Sequence, residues 1–179
     1  CVFSGSITKG HSDSDSKGVS GMLGGIWADG AAINVYMNNC VNYADITSKN
    51  NAGGFFGGFR GNQNTSGSAG FRNCEIINCI NYGDISTNAD AGGFLGYYNT
   101  NPGGNNIFKF NINYGKISST KSDGRVGGFA GCIAMPASNN SYTLYGFVNY
   151  GALSGTTYVQ NAVGSLTMNG TVSRNNNTN

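Results

Sequence analysis

"CINYGDIS", residues 79–86, returns along the chain with small changes: "CVNYADIT" at 40–47, "NINYGKIS" at 111–118 and "FVNYGALS" at 147–154. "CVFSGSIT" opens the chain at residue 1, and a worn copy, "LTMNGTVS", begins at Leu166. Successive copies start 39, 39, 32, 36 and 19 residues apart. A unit copied at this period is first an architecture, because a single copy cannot bury its own apolar face.

Two further blocks keep step with the octet. Gly-rich runs follow it: "SGMLGG" at 20, "AGGFFGG" at 52, "AGGFLG" at 91 and "VGGFAG" at 126, with an echo, "NAVG", at 161. Other runs precede it: "AINVYMNN" at 32, "FRNCEIIN" at 71, "NIFKF" at 106 and "YTLYGF" at 142. None carries the i, i+3, i+4 apolar pattern of a helix; the alternation is that of strands. Taking Val2, Val41, Ile80, Ile112 and Val148 as core-facing and counting back by two places Ile33, Val35, Met37, Cys74, Ile76, Phe108, Phe110, Tyr142 and Leu144 inside. Ile7, Ile46, Ile85, Ile117, Leu153 and Val172 form a second inward column, and Leu23, Phe55, Phe94 and Phe129 a third.

Three short strands per repeat predict an all-β solenoid of about five coils, each 32–39 residues long, right-handed by analogy with known solenoids. A β-sandwich or prism of the same three-strand units is the alternative fold. The repeat domain spans residues 1–173, and a polar tail occupies 174–179. Gly5, Gly83, Gly115 and Gly151 are expected at corners of positive φ. The paired glycines let one wall approach the next, and Asn42, Asn81, Asn113 and Asn149 are expected to form a ladder of side-chain amides.

Composition narrows the function. Charged residues make up 10% of the chain, well below the ~25% of ordinary soluble domains, and the net charge is +2. That gives no electrostatic basis for nucleic-acid binding, and no apolar run approaches the ~20 residues of a membrane helix. The sequence opens inside a repeat, so its N-terminal face is expected to stack on more protein. No cofactor is implied.

Candidate sites were weighed in turn. His11 is the only histidine. With Asp13 and Asp15 it lies in a Ser-Asp loop too loose to hold a catalytic base to tolerance. The Asp-x-Asp spacing, which could offer carboxylates to calcium, lacks the Gly and closing Glu of an EF-hand loop and is copied in no other repeat. Cys74 and Cys79 fall on opposite strand parities, against a zinc site. Cys1, Cys40 and Cys79 share one column and form either a thiol ladder or disulfides. Asp45 and Asp84 recur in register as outward, solvated carboxylates, too few for a glycosidase groove. The Thr8, Thr47, Ser86, Ser118, Ser154 and Ser173 column is a poor match for an ice lattice. Sequons occur at Asn64, Asn139, Asn169 and Asn176, about the number chance supplies, with Asn64 and Asn139 the better acceptors. Tyr36, Ile77, Ile107, Tyr145 and Phe147 line an outer wall with Asn38, Asn73 and Asn111 between them, an arrangement suited to sugar stacking or a protein contact.

"AGGFLG" and "VGGFAG", alternating with "NCINYGDIS", resemble the Gly-rich GLUG-type repeats of microbial surface proteins, over most of residues 1–173. The chain departs from that pattern in preferring Phe, and in using Asn-Tyr-Gly at the corner. The resemblance implies a non-enzymatic extracellular or cell-surface module, an adhesin stalk or self-assembling fibre subunit, and carries over no catalytic residue. Its implied partners are other copies of the chain, further repeats of the parent, surface glycans or a host protein. A carbohydrate-binding module, and a repeat region flanking a hydrolase, are the other readings.

Overall fold

A computed structural model describes residues 1–9, 18–28, 32–61, 70–99, 105–135, 141–168 and 171–174. All regular structure in them is β, arranged as five parallel sheets of five strands. Sheet 1 comprises Val2–Phe3, Val41–Asn42, Ile80–Asn81, Ile112–Asn113 and Val148–Asn149. Sheet 2 comprises Ser6–Lys9, Asp45–Ser48, Ile85–Thr87, Ile117–Ser119 and Leu153–Ser154. Sheet 3 comprises Val19–Ser20, Ala52–Gly53, Ala91–Gly92, Arg125–Gly127 and Tyr158–Gln160. Sheet 4 comprises Leu23–Ala28, Phe56–Gly61, Leu95–Asn99, Ala130–Met135 and Val163–Met168. Sheet 5 comprises Ala32–Asn38, Gly70–Ile77, Asn105–Lys109, Ser141–Tyr145 and Thr171–Arg174.

Neighbours in each sheet come from successive repeats, so the molecule is a β-solenoid of five coils, the middle three stacked on both sides. Each coil holds five strands, two more than the sequence pattern predicts, because the Gly-rich block is broken into sheets 3 and 4 and the octet into sheets 1 and 2. The worn copy at Leu166 is not an octet. Leu166 pairs with Ile133 in sheet 4, and Val172 pairs with Tyr142 in sheet 5, outside the column of Ile46 and Ile85. The last described strand ends at Arg174.

Parity is the main correction. Cys40, Asn42, Ala44 and Ile46 are buried, whereas Val41 is only partly covered and Val2 is 72% exposed. The octet therefore buries its odd positions, and the Val/Ile column faces out. The cause sits between sheets 5 and 1, where Asn39, Asn78, Phe110 and Gly146 adopt φ of 53°, 53°, 55° and 63°. One left-handed residue re-aims the chain and resets the in–out count. Val35 and Met37 pack against the core, and Cys74, Ile76, Phe108, Tyr142 and Leu144 are buried as expected, while Phe110, at the corner itself, is exposed.

Two apolar lobes fill each coil. The larger, between sheets 1, 4 and 5, stacks Phe55 on Phe94 and Phe94 on Phe129 at centroid separations of 4.8 and 5.1 Å. Met22, not Leu23, extends this column in the first coil, because Leu23 pairs with Phe56. The smaller lobe joins Ile46, Ile85 and Ile117 of sheet 2 to Ala52, Ala91 and Val126 of sheet 3.

A polar waist separates the lobes, and it explains why the octet and the Gly-rich block travel together. Asn42 Nδ2 donates to Asn81 Oδ1 (2.8 Å), Asn81 Nδ2 to Asn113 Oδ1 (2.8 Å), and Asn113 Nδ2 to Asn149 Oδ1 (2.7 Å). Each amide also donates to the carbonyl two residues on, at Ala44, Gly83, Gly115 and Gly151. Asn42, Asn81 and Asn113 are fully buried, so these bonds replace those water would make. The amides lie against the paired glycines: a Cβ on Gly93 would sit 2.6 Å from Asn113 Oδ1. Of the octet glycines, Gly5 has the expected positive φ, 121°, with no atom within 4 Å of its Cβ position, and the other three are explained by space. Gly83, Gly115 and Gly151 do not have positive φ; a Cβ on any of them would strike the octet backbone of the preceding coil, at Ala44, Gly83 and Gly115 respectively.

Candidate functional site

The corner that turns the octet inward also turns its tyrosines out. Tyr43, Tyr82, Tyr114 and Tyr150 occupy one position on four successive coils, with ring centroids 4.9, 4.9 and 5.1 Å apart and interplanar angles of 3°, 4° and 14°. Parallel rings at that separation are offset-stacked, each covering part of its neighbour's face. They stay open to solvent, from 42% at Tyr82 to 62% at Tyr150. Val41, Ile80, Ile112 and Val148 run beside them two residues back, in register from coil to coil. Beyond that column Phe110 meets Tyr145 edge-on at 5.4 Å. The result is a stripe of aromatic and aliphatic side chains along the solenoid axis, free of ionisable groups other than the tyrosine phenols themselves.

The wall expected from the sequence is only partly there. Tyr36 and Tyr145 are exposed and Ile77 and Ile107 partly so, but Phe147 is 7% exposed and packs edge-on against Phe94 and Phe129. Asn111, expected between the wall residues, is fully buried. Tyr36, Glu75, Ile107 and Thr143 form one outward column of sheet 5, and Asn38, Ile77, Lys109 and Tyr145 the next, so charged side chains interrupt the aromatics. The signal for the continuous stripe is the Tyr that follows Asn in four octets. It was missed because the uncorrected parity turns that position inward.

The cysteines have a local role. All five are free thiols; Cys1 is exposed, and Cys40, Cys74, Cys79 and Cys132 are buried. Cys74 and Cys79 both face inward, contrary to their sequence parity, because the corner at Asn78 lies between them. Cys79 Sγ accepts the Cys40 N–H at 3.4 Å, and in the next coil Asn111 Oδ1 accepts the Cys79 N–H at 3.0 Å. The column therefore supplies an acceptor to a backbone donor freed by the turn, a role that Cys79 and Asn111 both fill. Burial pushes the thiols up from 9.0, Cys74 to about 12 and Cys79 and Cys132 to about 11. Their contribution to stability is complete below pH 9 and is lost as pH rises toward 11–12, since the unfolded chain ionises first. The denaturation midpoint is expected to hold between pH 7 and 8.5 and to fall steeply between pH 9 and 10.5; urea titrations at these pH values check it.

Other polar groups stitch coils together. Asp45 Oδ1 accepts the Asp84 N–H and Asp84 Oδ1 the Lys116 N–H, each at 2.8 Å, so these exposed carboxylates brace the sheet 1–2 corner. Asp90, largely buried, takes the Arg125 N–H and Nε–H at 3.1 and 2.8 Å, and the guanidinium lies over the Tyr97 ring. The hydroxyl column pairs Thr8, Thr47, Ser86, Ser118 and Ser154 in register, whereas Ser173 belongs to sheet 5. Among the described residues no three metal-ligating side chains converge, and no helix is long and apolar enough to cross a membrane. His11, Asp13, Asp15, Asn64, Asn139, Asn169 and Asn176 lie outside the described residues.

No family model, curated protein or solved structure matches the chain.

Proposed function

We propose that this chain is a non-enzymatic structural module of an extracellular or cell-surface protein, built to extend by stacking coil on coil. The carrying observation is that the waist is directional and open-ended. Asn42, Asn81 and Asn113 each donate to the Asn of the following coil, and among the described residues the Asn149 Nδ2 donates only to Gly151. Among the described residues the strands Val148–Asn149, Leu153–Ser154 and Tyr158–Gln160 each pair on one side, so their other edges have backbone groups suited to a further coil. The occupant is another repeat of the same parent chain or another copy, in keeping with the resemblance to Gly-rich repeats of adhesin stalks. The structure also suits the low-charge surface, since uncharged amides and hydroxyls keep a stack soluble without like-charge columns.

Electron microscopy over a range of protein concentrations tests the assembling form of this reading. Filaments whose axial rise is a multiple of the ~4.8 Å strand spacing are expected. Single particles at every concentration would reject self-assembly.

A further inference from the structure

We infer that the tyrosine stripe is a binding track for a neutral, extended β-1,4-linked glycan lying parallel to the solenoid axis. The inference does not depend on whether the module polymerises, because the track is on the side of the stack and the stacking surface is at its end.

Four observations select this occupant. Tyr43, Tyr82, Tyr114, Tyr150 and Val2 are five of the nine exposed large hydrophobic side chains among the described residues, and all lie on the outer face beside sheet 1. Such a concentration on one face marks a contact surface, not scattered exposure. Charge is the second. No carboxylate or amine falls in the tyrosine or aliphatic columns, and the bordering column of Asp45, Asp84 and Lys116 carries both signs, so neither a polyanion nor a polycation is favoured. Shape is the third. The track is narrow, four rungs spanning about 15 Å along the axis and two columns about 7 Å apart at ordinary strand spacings. That is far short of the ~800 Å² per partner of a stable protein interface, which argues against a second copy as the occupant. An added peptide strand is disfavoured as well, because the sheet 1 backbone is already spent between coils, as in Tyr82 N–H to Asn42 O and Tyr114 N–H to Asn81 O. Period is the fourth. The rings repeat every 4.9–5.1 Å, close to the advance per sugar of a fully extended β-1,4-linked chain, so each successive sugar meets one tyrosine, alternate sugars being turned over by the twofold screw of such a chain. Offset stacking leaves each phenol edge and hydroxyl outward. The hydroxyls bond sugar hydroxyls while the aliphatic column covers the apolar face of the sugar rings.

The test uses the whole chain and the doubly substituted Tyr82→Ala/Tyr114→Ala variant, with cellohexaose and chitohexaose as probes in calorimetry and maltohexaose as the α-linked control. Both tyrosines lie on the outer face, so the variant is expected to keep the fold, read as an unchanged far-ultraviolet circular dichroism spectrum and a cooperative thermal transition, with the midpoint lowered modestly by the lost ring stacking. Binding to one of the β-linked hexasaccharides is expected, tightening from the disaccharide to about the tetrasaccharide and then levelling off where the four-rung track ends. The variant should bind at least tenfold more weakly, and maltohexaose should not bind. A Tyr82→Phe/Tyr114→Phe variant keeps the stack and removes the hydroxyls, and is expected to lose severalfold. Equal binding of maltohexaose, retention of affinity in the alanine variant, or no binding of either β-linked hexasaccharide would overturn the inference. So would tyrosine-dependent dimerisation in the absence of glycan, which would make the stripe a self-contact.

Discussion

Replacing Gly131 by Ala is expected to cost about 3 kcal/mol or more, the upper range for overpacking. The added methyl would lie 2.7 Å from the Ala91 nitrogen, 2.7 Å from the Gly96 oxygen and 2.8 Å from the Ala91 oxygen. All three are backbone atoms of the preceding coil, and each is fixed by the parallel pairing of sheets 3 and 4, so no side chain can yield by changing rotamer. Relief requires the waist to open, which separates coils 3 and 4. Gly131→Ser should behave alike, because the clash is at Cβ. Gly24→Ala, whose nearest atom is the Gly18 oxygen at 3.4 Å, should cost well under half as much. Urea denaturation of the three variants measures the order, and a Gly131→Ala protein as stable as Gly24→Ala would contradict this packing.

The second large effect is expected at Asn81. Its Nδ2 serves Gly83 O and Asn113 Oδ1, and its Oδ1 takes the Asn42 amide. Asn81→Ala strands three buried groups at once: one N–H of Asn42, the Gly83 carbonyl and the Asn113 side-chain oxygen. At roughly 1–3 kcal/mol for each unsatisfied buried group, the loss is on the order of 3–9 kcal/mol. Asn81→Asp should be no better, since a carboxylate has no donor for Asn113 and adds a buried charge. Because the amides form one chain, Asn81→Ala and Asn113→Ala should not be additive; the double variant is expected to lose less than the sum of the two. Additive losses would mean that the amides act singly.

The fold was legible because stacking requires sequence copies to occupy equivalent places. The five octets from residue 1 to 147, the Gly-Gly-Phe block from residue 52 onward and the Asn column all stand in the register read from their spacing. What misled the reading was local. Strand parity is reliable only while φ stays negative, and no sequence rule expects Phe110 at φ 55° in the place Asn39 and Asn78 hold. Taking the β-branched column of Val41 and Ile80 as inside put Phe147 outside, whereas counting back from it through the corner reversed the sense again and placed Cys74, Ile76 and Phe108 inside, where they are. The same slip hid the tyrosine stripe and separated Cys74 from Cys79. The second miss, at Leu166, arose because the degenerate last coil keeps an octet-like composition in strands that belong to sheets 4 and 5. The amide ladder was legible for the opposite reason. Asn recurring at one octet position, on a chain otherwise apolar there, has few physical explanations other than a paired buried amide.

The central claim, that one chain stacks its repeats in register along an axis, is open to a direct distance measurement. Thr8, Thr47, Ser86, Ser118 and Ser154 form one column, a single position per coil. Spin labels placed at residue 8 and at each of the others in turn, in a Cys1→Ser background, report their separations by continuous-wave and pulsed electron paramagnetic resonance. The solenoid predicts a linear series, rising by about one strand spacing, ~4.8 Å, with every coil crossed. Separations that do not grow with the number of intervening repeats, as in a sandwich or prism of the same units, would contradict it.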